Sequence, residues 1–101
     1  MTLGPRYPHR MTVFHPTGRD PWGVPTGVTT ENVPCRVNWG NRLVRNRDGE
    51  QVVSVAMVET RHPVVVGDII TLEGEEQGLT VIQMIRIDGL GGRESHREVY
   101  L

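Results

Sequence analysis

Hydrophobic residues are concentrated between residues 52 and 72 and follow a β-strand pattern. Residues 52–58 and 64–72 are rich in valine and isoleucine, whose branched side chains fit a pleated sheet better than a helix, where they lose χ1 freedom. Both parities of the first run are apolar, so both faces of this strand need cover. Because a small barrel covers only the inner face, we expect a second layer, a loop or another subunit on the outer face.

Shorter alternating segments lie on either side of this region. Apolar residues favour one parity of residues 10–15, 32–39 and 79–88, and residues 95–101 can add a last edge strand. No window has the apolar spacing of an amphipathic helix. The pattern therefore predicts an all-β fold, a small barrel or sandwich of about five to seven strands with long loops and almost no helix.

Glycine and proline divide the predicted strands. Residues 1–9 are predicted to be a loose N-terminal arm. Residues 16–30 contain three prolines and three glycines and are predicted to form one long loop, which in a compact domain is usually functional or disordered. The Asp48-Gly49 pair indicates a turn, so residues 40–51 are predicted to project as a hairpin.

Trp22 lies in the middle of the predicted loop. A tryptophan prefers to bury about 150–250 Å² of surface, and aromatic residues dominate interface energies. We therefore expect the loop to contact a neighbouring subunit or another protein. The candidate interface residues are Arg19, Asp20, Trp22 and Val24.

Length, charge and cysteine content narrow the functional classes. The 101 residues predict a single domain, residues 1–101. A net charge of −1 argues against a protein that binds nucleic acid or other polyanions non-specifically, because such binding needs an excess of positive charge. Cys35 is the only cysteine, so an intrachain disulfide and a paired-thiolate zinc site are excluded. No apolar run approaches the ~18 residues of a membrane span, and the first residues lack a signal-peptide core, so we expect synthesis in the cytoplasm and no membrane contact.

The side chains that could bind a metal or take part in catalysis also have simpler structural interpretations. The histidines lack metal-ligand spacing and are predicted to be exposed loop residues: His9, His15, His62 and His96. Cys35 is predicted to be a buried structural thiol. Asp68 is predicted to shape the bend after Gly67 by hydrogen bonding to backbone amides.

The remaining polar segments are predicted to be solvated turns. These are the acidic residues Glu73, Glu75 and Glu76 and the glycine-rich residues 89–92. Since no nucleophile, base and orienting partner stand out, we expect no enzyme activity, no catalytic residue, no cofactor and no metal site.

Three arginines on the predicted hairpin have two interpretations. Arg42, Arg45 and Arg47 can belong to a solvated hairpin whose charge Asp48 and Glu50 offset. They can also form a basic finger that faces DNA or an acidic ring in a channel. The sequence leaves both interpretations open.

The order and spacing of several segments resemble the head-closure, or stopper, proteins of long-tailed bacteriophages, also called head-tail connector or joining proteins. These segments lie between residues 10 and 88 and are Val13-Phe14, the run from His15 to Gly23, Cys35-Arg36-Val37-Asn38-Trp39, the run from Asp48 to Ser54, and Val66-Gly67-Asp68-Ile69-Ile70.

The resemblance implies a small β-barrel that assembles in the virion as a homo-oligomeric ring, a dodecamer, below the portal and adaptor proteins. It further implies that the ring closes the DNA-filled capsid and provides the surface on which the tail, with its terminator protein, docks. Extended loops would rearrange on assembly, and one could obstruct the channel and touch the packaged DNA.

Other functions fit the same length and composition. A tail-completion protein or another minor virion protein would share both. A small oligonucleotide-binding barrel is a further alternative, although an aromatic content of 5% and slight acidity count against it.

Overall fold

The structure, a computed structural model, describes residues 7–87 and 95–101. These residues form seven β-strands and contain no helix. The strands are β1 (His9–Arg19), β2 (Pro25–Arg45), β3 (Gln51–Thr60), β4 (Ile69–Leu72), β5 (Leu79–Thr80), β6 (Gln83–Ile87) and β7 (His96–Tyr100). The predicted all-β class is confirmed.

All strands pair antiparallel in one sheet with the order β5-β4-β1-β2-β3-β7-β6. The sheet is not closed into a barrel. Its two edge strands, β5 and β6, are nevertheless consecutive in the chain and are joined only by Val81 and Ile82. The Val81 amide donates to the carbonyl of Asp68 (2.8 Å) and the Ile82 amide to that of Tyr100 (2.8 Å). These bonds bring the two edges of the sheet close together.

The long strand β2 connects the two halves of the sheet. Residues up to Cys35 pair with β1, and residues from Arg36 onward pair with β3. Register shifts mark two irregular points, one near Asn32, whose φ of 57° is in the left-handed region, and one at Gly40 and Asn41. Asparagine tolerates this conformation better than most residues, and bulges bend a strand. The strand can therefore contribute to both halves.

The hydrophobic core lies between these two halves. It contains eleven residues from both: Met11, Val13, Val33, Cys35, Val58, Val64, Ile70, Leu72, Val81, Val99 and Leu101. The alternation predicted for residues 10–15 and 32–39 is visible here, since Met11, Val13, Val33 and Cys35 are buried.

The prediction of a long loop over residues 16–30 is wrong. Residues 16–19 and 25–30 are paired strand residues, and only residues 20–24 form the turn. Proline is tolerated in a strand whose outer edge needs no hydrogen bond, and within the described residues no further strand pairs with this part of β1 or β2. Gly27 is required because a Cβ there would overlap the carbonyl oxygen of His15.

The boundaries of several other elements differ in part from those predicted. His9, assigned to the N-terminal arm, begins β1, and residues 1–6 lie outside the described residues. The hairpin predicted for residues 40–51 is present, with its turn at residues 46–50. The last strand, predicted at an edge, lies between β3 and β6 because β6 turns back to pair with it. The predicted turn at residues 89–92 lies outside the described residues.

Candidate functional site

The most exposed element is the outer part of the β1–β2 hairpin. Strand β4 pairs with β1 only as far as Phe14, and β2 pairs with β3 only from Arg36. Residues 15–28, called the ribbon below, therefore extend beyond the rest of the sheet, and all of them except Asp20 are exposed. An isolated two-stranded hairpin is at best marginally stable in water, so contacts at its base and in its turn are needed to order it.

Asp20 organises the turn at the tip of the ribbon. Its Oδ1 accepts hydrogen bonds from the amides of Trp22 and Val24, both at 2.9 Å. The Arg19 guanidinium donates to the carbonyl of Gly23 (2.7 Å), and Gly23 has a φ of +81°. The predicted interface residues Arg19, Asp20, Trp22 and Val24 are thus brought together in one turn.

The tip presents a large apolar side chain to solvent. Trp22 is 85% exposed, and Val24 and Val28 are also exposed. Val28 lies opposite His15, two residues along β1 from the buried Val13. Since opposite residues and alternate residues share a face, Val28 continues the core face of the sheet beyond the core.

A polar contact holds the base of the ribbon. His15 Nδ1 lies 2.6 Å from Oδ1 of Asp68, whose side chain is 2% exposed. The other carboxylate oxygen accepts the Val65 amide at 3.0 Å, which confirms the predicted role of Asp68 in the bend. The histidine was predicted to lie in a loop, and that prediction is wrong. No local motif predicts its contact, because the two partners are 53 residues apart.

The turn between β2 and β3 repeats the design of the ribbon turn. Asn46 Oδ1 accepts the amides of Asp48 (3.0 Å) and Glu50 (2.9 Å), just as Asp20 accepts two amides. The Arg45 guanidinium donates to the carbonyl of Gly49 (2.8 Å), and Gly49 has a φ of +82°. Both turns share the sequence Arg-Asx-x-x-Gly, a signal that can be found from the sequence.

The three hairpin arginines do not form one cluster. The Arg42 guanidinium lies 5.9 Å from the ring centroid of Tyr100, and Arg45 is bonded within its own turn. Arg47 donates to the carbonyl of Val66 at 3.2 Å. The three side chains therefore have separate local partners and are not gathered into one basic finger.

A cleft lies beside the tip of this second hairpin. It has a volume of about 510 Å³ and is lined by residues 46–48, Val52, Val66, Gly67 and residues 80–82. Its wall is mostly aliphatic, while Arg47 and Asp48 stand at the hairpin side. No signal in the sequence points to this cleft, because its lining comes from three distant segments.

The outer face of the sheet also carries exposed apolar side chains. Leu43 is paired with Val53, and both are exposed, as is Val55 on the same face of β3. Met57, farther along this face, is buried and is paired with Tyr100. The doubly apolar pattern of β3 therefore corresponds to one face in the core and one face that the described residues cover only in part.

Cys35 and the remaining histidines belong to the structural framework. Cys35 is 0% exposed, which confirms the predicted buried thiol, and burial raises its pKa to about 11. His9 and His96 lie in strands rather than loops, and the Val37 amide donates to Nδ1 of His9 at 3.1 Å. In the β1–β2 pairing His9 lies opposite Cys35, but its Nδ1 accepts the Val37 amide and the thiol is fully buried.

The described residues show no membrane-spanning helix and no metal-binding cluster. Among residues 7–87 and 95–101 there is no helix long and apolar enough to cross a membrane. The same residues contain no group of three or more His, Cys, Asp or Glu side chains that could hold a metal ion. No protein-family model, curated protein or solved structure matches this chain.

Proposed function

We propose that this chain is a structural virion protein of the phage head-tail interface, which closes the DNA-filled capsid below the portal and adaptor proteins and provides the tail docking surface. The observation that carries the proposal is the ribbon, which ends in a tryptophan that is 85% exposed. The order of motifs that resembles head-closure proteins supports the same conclusion.

The ribbon has the features of a segment made for assembly. It is an ordered hairpin with a defined turn, yet its apolar side chains Trp22, Val24 and Val28 lie in solvent. Preorganisation reduces the entropy lost on binding, and buried aromatic anchors supply much of the binding energy. In the proposed function, the ribbon contacts a neighbouring subunit or the adaptor.

The other partners follow from the same proposal. A homo-oligomeric ring surrounds the channel, and the tail terminator protein binds the ring on its tail side. The β2–β3 hairpin is proposed to face the channel and the packaged DNA through Arg42 and Arg45, whereas Arg47 donates to the Val66 carbonyl beside the cleft. Arg45→Ser should then weaken genome retention.

The test is replacement of Trp22 by alanine in the phage genome. Because Trp22 makes little contact with its own chain, Trp22→Ala should leave the melting temperature of the purified protein nearly unchanged. It should increase the number of separate heads and tails in lysates at least tenfold, as counted by electron microscopy. Trp39→Ala is the matched control, since Trp39 is also exposed but lies outside the ribbon. Normal joining by Trp22→Ala phage would contradict the proposal.

The alternatives give different results in the same lysates. Loss of a head-closure protein should leave heads that lose their DNA, whereas loss of a tail-completion protein should leave filled heads beside incomplete tails. An oligonucleotide-binding module should bind single-stranded DNA with a steep dependence on salt concentration.

A further inference from the structure

We propose that copies of this chain associate by inserting Trp22 of one copy into the cleft between residues 46–48, 66–67 and 80–82 of the next. This inference rests on the proposed function for the setting in which copies meet, and it names the contact between them. The occupant of the cleft is a second copy of the same chain.

The cleft has an apolar lining suited to an aromatic ring. It is an open depression with a volume of about 510 Å³. Val52, Val66 and Ile82 provide aliphatic surface, and the Arg47 guanidinium lies over Gly67, within 3.7 Å of where a Cβ would be. An indole ring inserted there would exchange solvent for apolar contacts.

Arg47 gives the cleft a preference for an aromatic ring. Its guanidinium donates to the carbonyl of Val66 (3.2 Å), which holds it at the edge of the cleft. A guanidinium fixed beside an apolar pocket can stack on the face of an indole ring. Among aromatic side chains, the indole of tryptophan binds cations best. An aliphatic side chain would not gain this interaction.

A copy cannot fill its own cleft with its own tryptophan. The base of the ribbon lies near the cleft, because His15 contacts Asp68, the residue after Gly67. Between His15 and Arg19 the ribbon runs for four residues of strand, about 13 Å at the usual rise. The ribbon strands stay paired to Arg19, so Trp22 remains at the far end, 85% exposed.

Charges beside the tryptophan and beside the cleft are complementary. Arg19 and Asp20 precede Trp22, and Arg47 and Asp48 stand at the cleft. In the part of the chain that the structure describes, none of these four side chains forms a salt bridge. Docking that places Asp20 beside Arg47 and Arg19 beside Asp48 pairs both charges, which favours one orientation over others.

The proposed contact joins two different surfaces of the same chain. Such a head-to-tail contact leaves one tip and one cleft unused in a dimer, so it continues until a ring closes or a filament forms. It therefore provides a route from a monomer to the ring of the proposed function without a second kind of interface.

The experiment uses two variants that remove opposite halves of the contact. Trp22→Ala removes the anchor and keeps the cleft, whereas Thr80→Trp fills the cleft and keeps the anchor. Thr80 is exposed at the cleft wall, so tryptophan there should not disturb the core, and thermal melting checks that both variants fold. Sedimentation is measured up to about 1 mM, where a contact with a millimolar dissociation constant is half occupied.

Each sample should associate differently. The wild type should form oligomers larger than dimers, and each variant alone should associate at least tenfold more weakly. An equimolar mixture of the two variants should form dimers and nothing larger, since only one anchor and one matching cleft remain. Trp39→Ala, the matched control, should associate like the wild type.

Three results would overturn the inference. They are a wild type that stays monomeric over the whole concentration range, a Trp22→Ala variant that associates normally, and a mixture that forms no dimer.

Failure of the inference and failure of the proposed function are distinguishable in phage. If Trp22→Ala abolishes joining while Thr80→Trp phage join normally, the ribbon docks on another virion protein and only the inference fails. Correct mixing behaviour with normal joining by both variants would instead reject the proposed function.

Discussion

At the scale of single residues, two Asx side chains determine where the two long hairpins turn. Asp20 and Asn46 each accept two backbone amides through one Oδ1 atom, and each is followed three residues later by a glycine with positive φ. A carboxylate and an amide oxygen do the same work here, because both accept hydrogen bonds in the same geometry. The turn therefore depends on an acceptor oxygen and needs no charge.

This equivalence predicts the effect of substitutions at Asp20. Asp20→Ala removes the acceptor for two amides and should destabilise the tip locally by about 1–2 kcal/mol. Asp20→Asn should restore most of this stability, as Asn46 shows for the other turn. Hydrogen exchange of the Trp22 and Val24 amides is the measurement. Equal exchange rates in the alanine and asparagine variants would show that the carboxylate does not organise the turn.

At the scale of elements, the ribbon is an extension of the sheet that is held mainly at its base. Beyond Phe14 it loses its β4 neighbour, and the contact from His15 to the buried Asp68 is the side-chain link between the ribbon strand and the bend before β4. Asp68 also accepts the Val65 amide, so one carboxylate ties the ribbon to the body. The direction of the ribbon, and thus the position of Trp22, depends on this link.

Removal of the histidine should loosen the ribbon without unfolding the protein. In His15→Ala, backbone amides of residues 17–19 and 26–28 should exchange several times faster, because the base is no longer held. Global stability should fall by about 1–3 kcal/mol, since an oxygen of the buried Asp68 carboxylate loses its partner. His62→Ala serves as the control. Unchanged exchange in the ribbon of His15→Ala would mean that strand pairing alone orders it.

At the scale of the whole molecule, one core stabilises a sheet whose edges approach each other without pairing. Residues from both halves meet around Cys35, which is 0% exposed. Burial disfavours the thiolate and raises the pKa of the thiol from 9.0 to about 11. Arg10 lowers this pKa by a smaller amount, and Glu73 raises it. The ionisation of this thiol is therefore coupled to global unfolding.

The coupling predicts how stability changes at alkaline pH. Below pH 9 the thiol is protonated in both states, and between pH 9 and about 11 it loses its proton mainly in the unfolded state. Stability should therefore fall as pH rises through this window, by an amount of order 2 kcal/mol from this group. Denaturant unfolding at several pH values measures the decline. Cys35→Ala should decline less steeply, and identical slopes would show that the thiol does not contribute.

The fold class and several local features could be predicted from sequence because they depend on neighbours in the chain. Alternation placed Met11, Val13 and Cys35 in strands and in the core, although Trp39, on the same parity as Cys35, is exposed. Asp48-Gly49 marked a turn. The ribbon was misread as a loop, because proline and glycine form loops unless a strand has an open edge and a close backbone neighbour. The sequence also indicated Trp22 as an exposed anchor without showing the hairpin that presents it.

The chain by itself determined a β-rich protein with defined turns, a buried thiol and a conspicuous tryptophan. Tertiary structure alone decided that β2 serves both halves of the sheet, that His15 meets Asp68, and that three separate segments line the open cleft. The reason is physical, since periodicity and turn chemistry act over a few residues. Strand pairing between distant segments instead depends on the total burial and hydrogen bonding that the complete fold achieves.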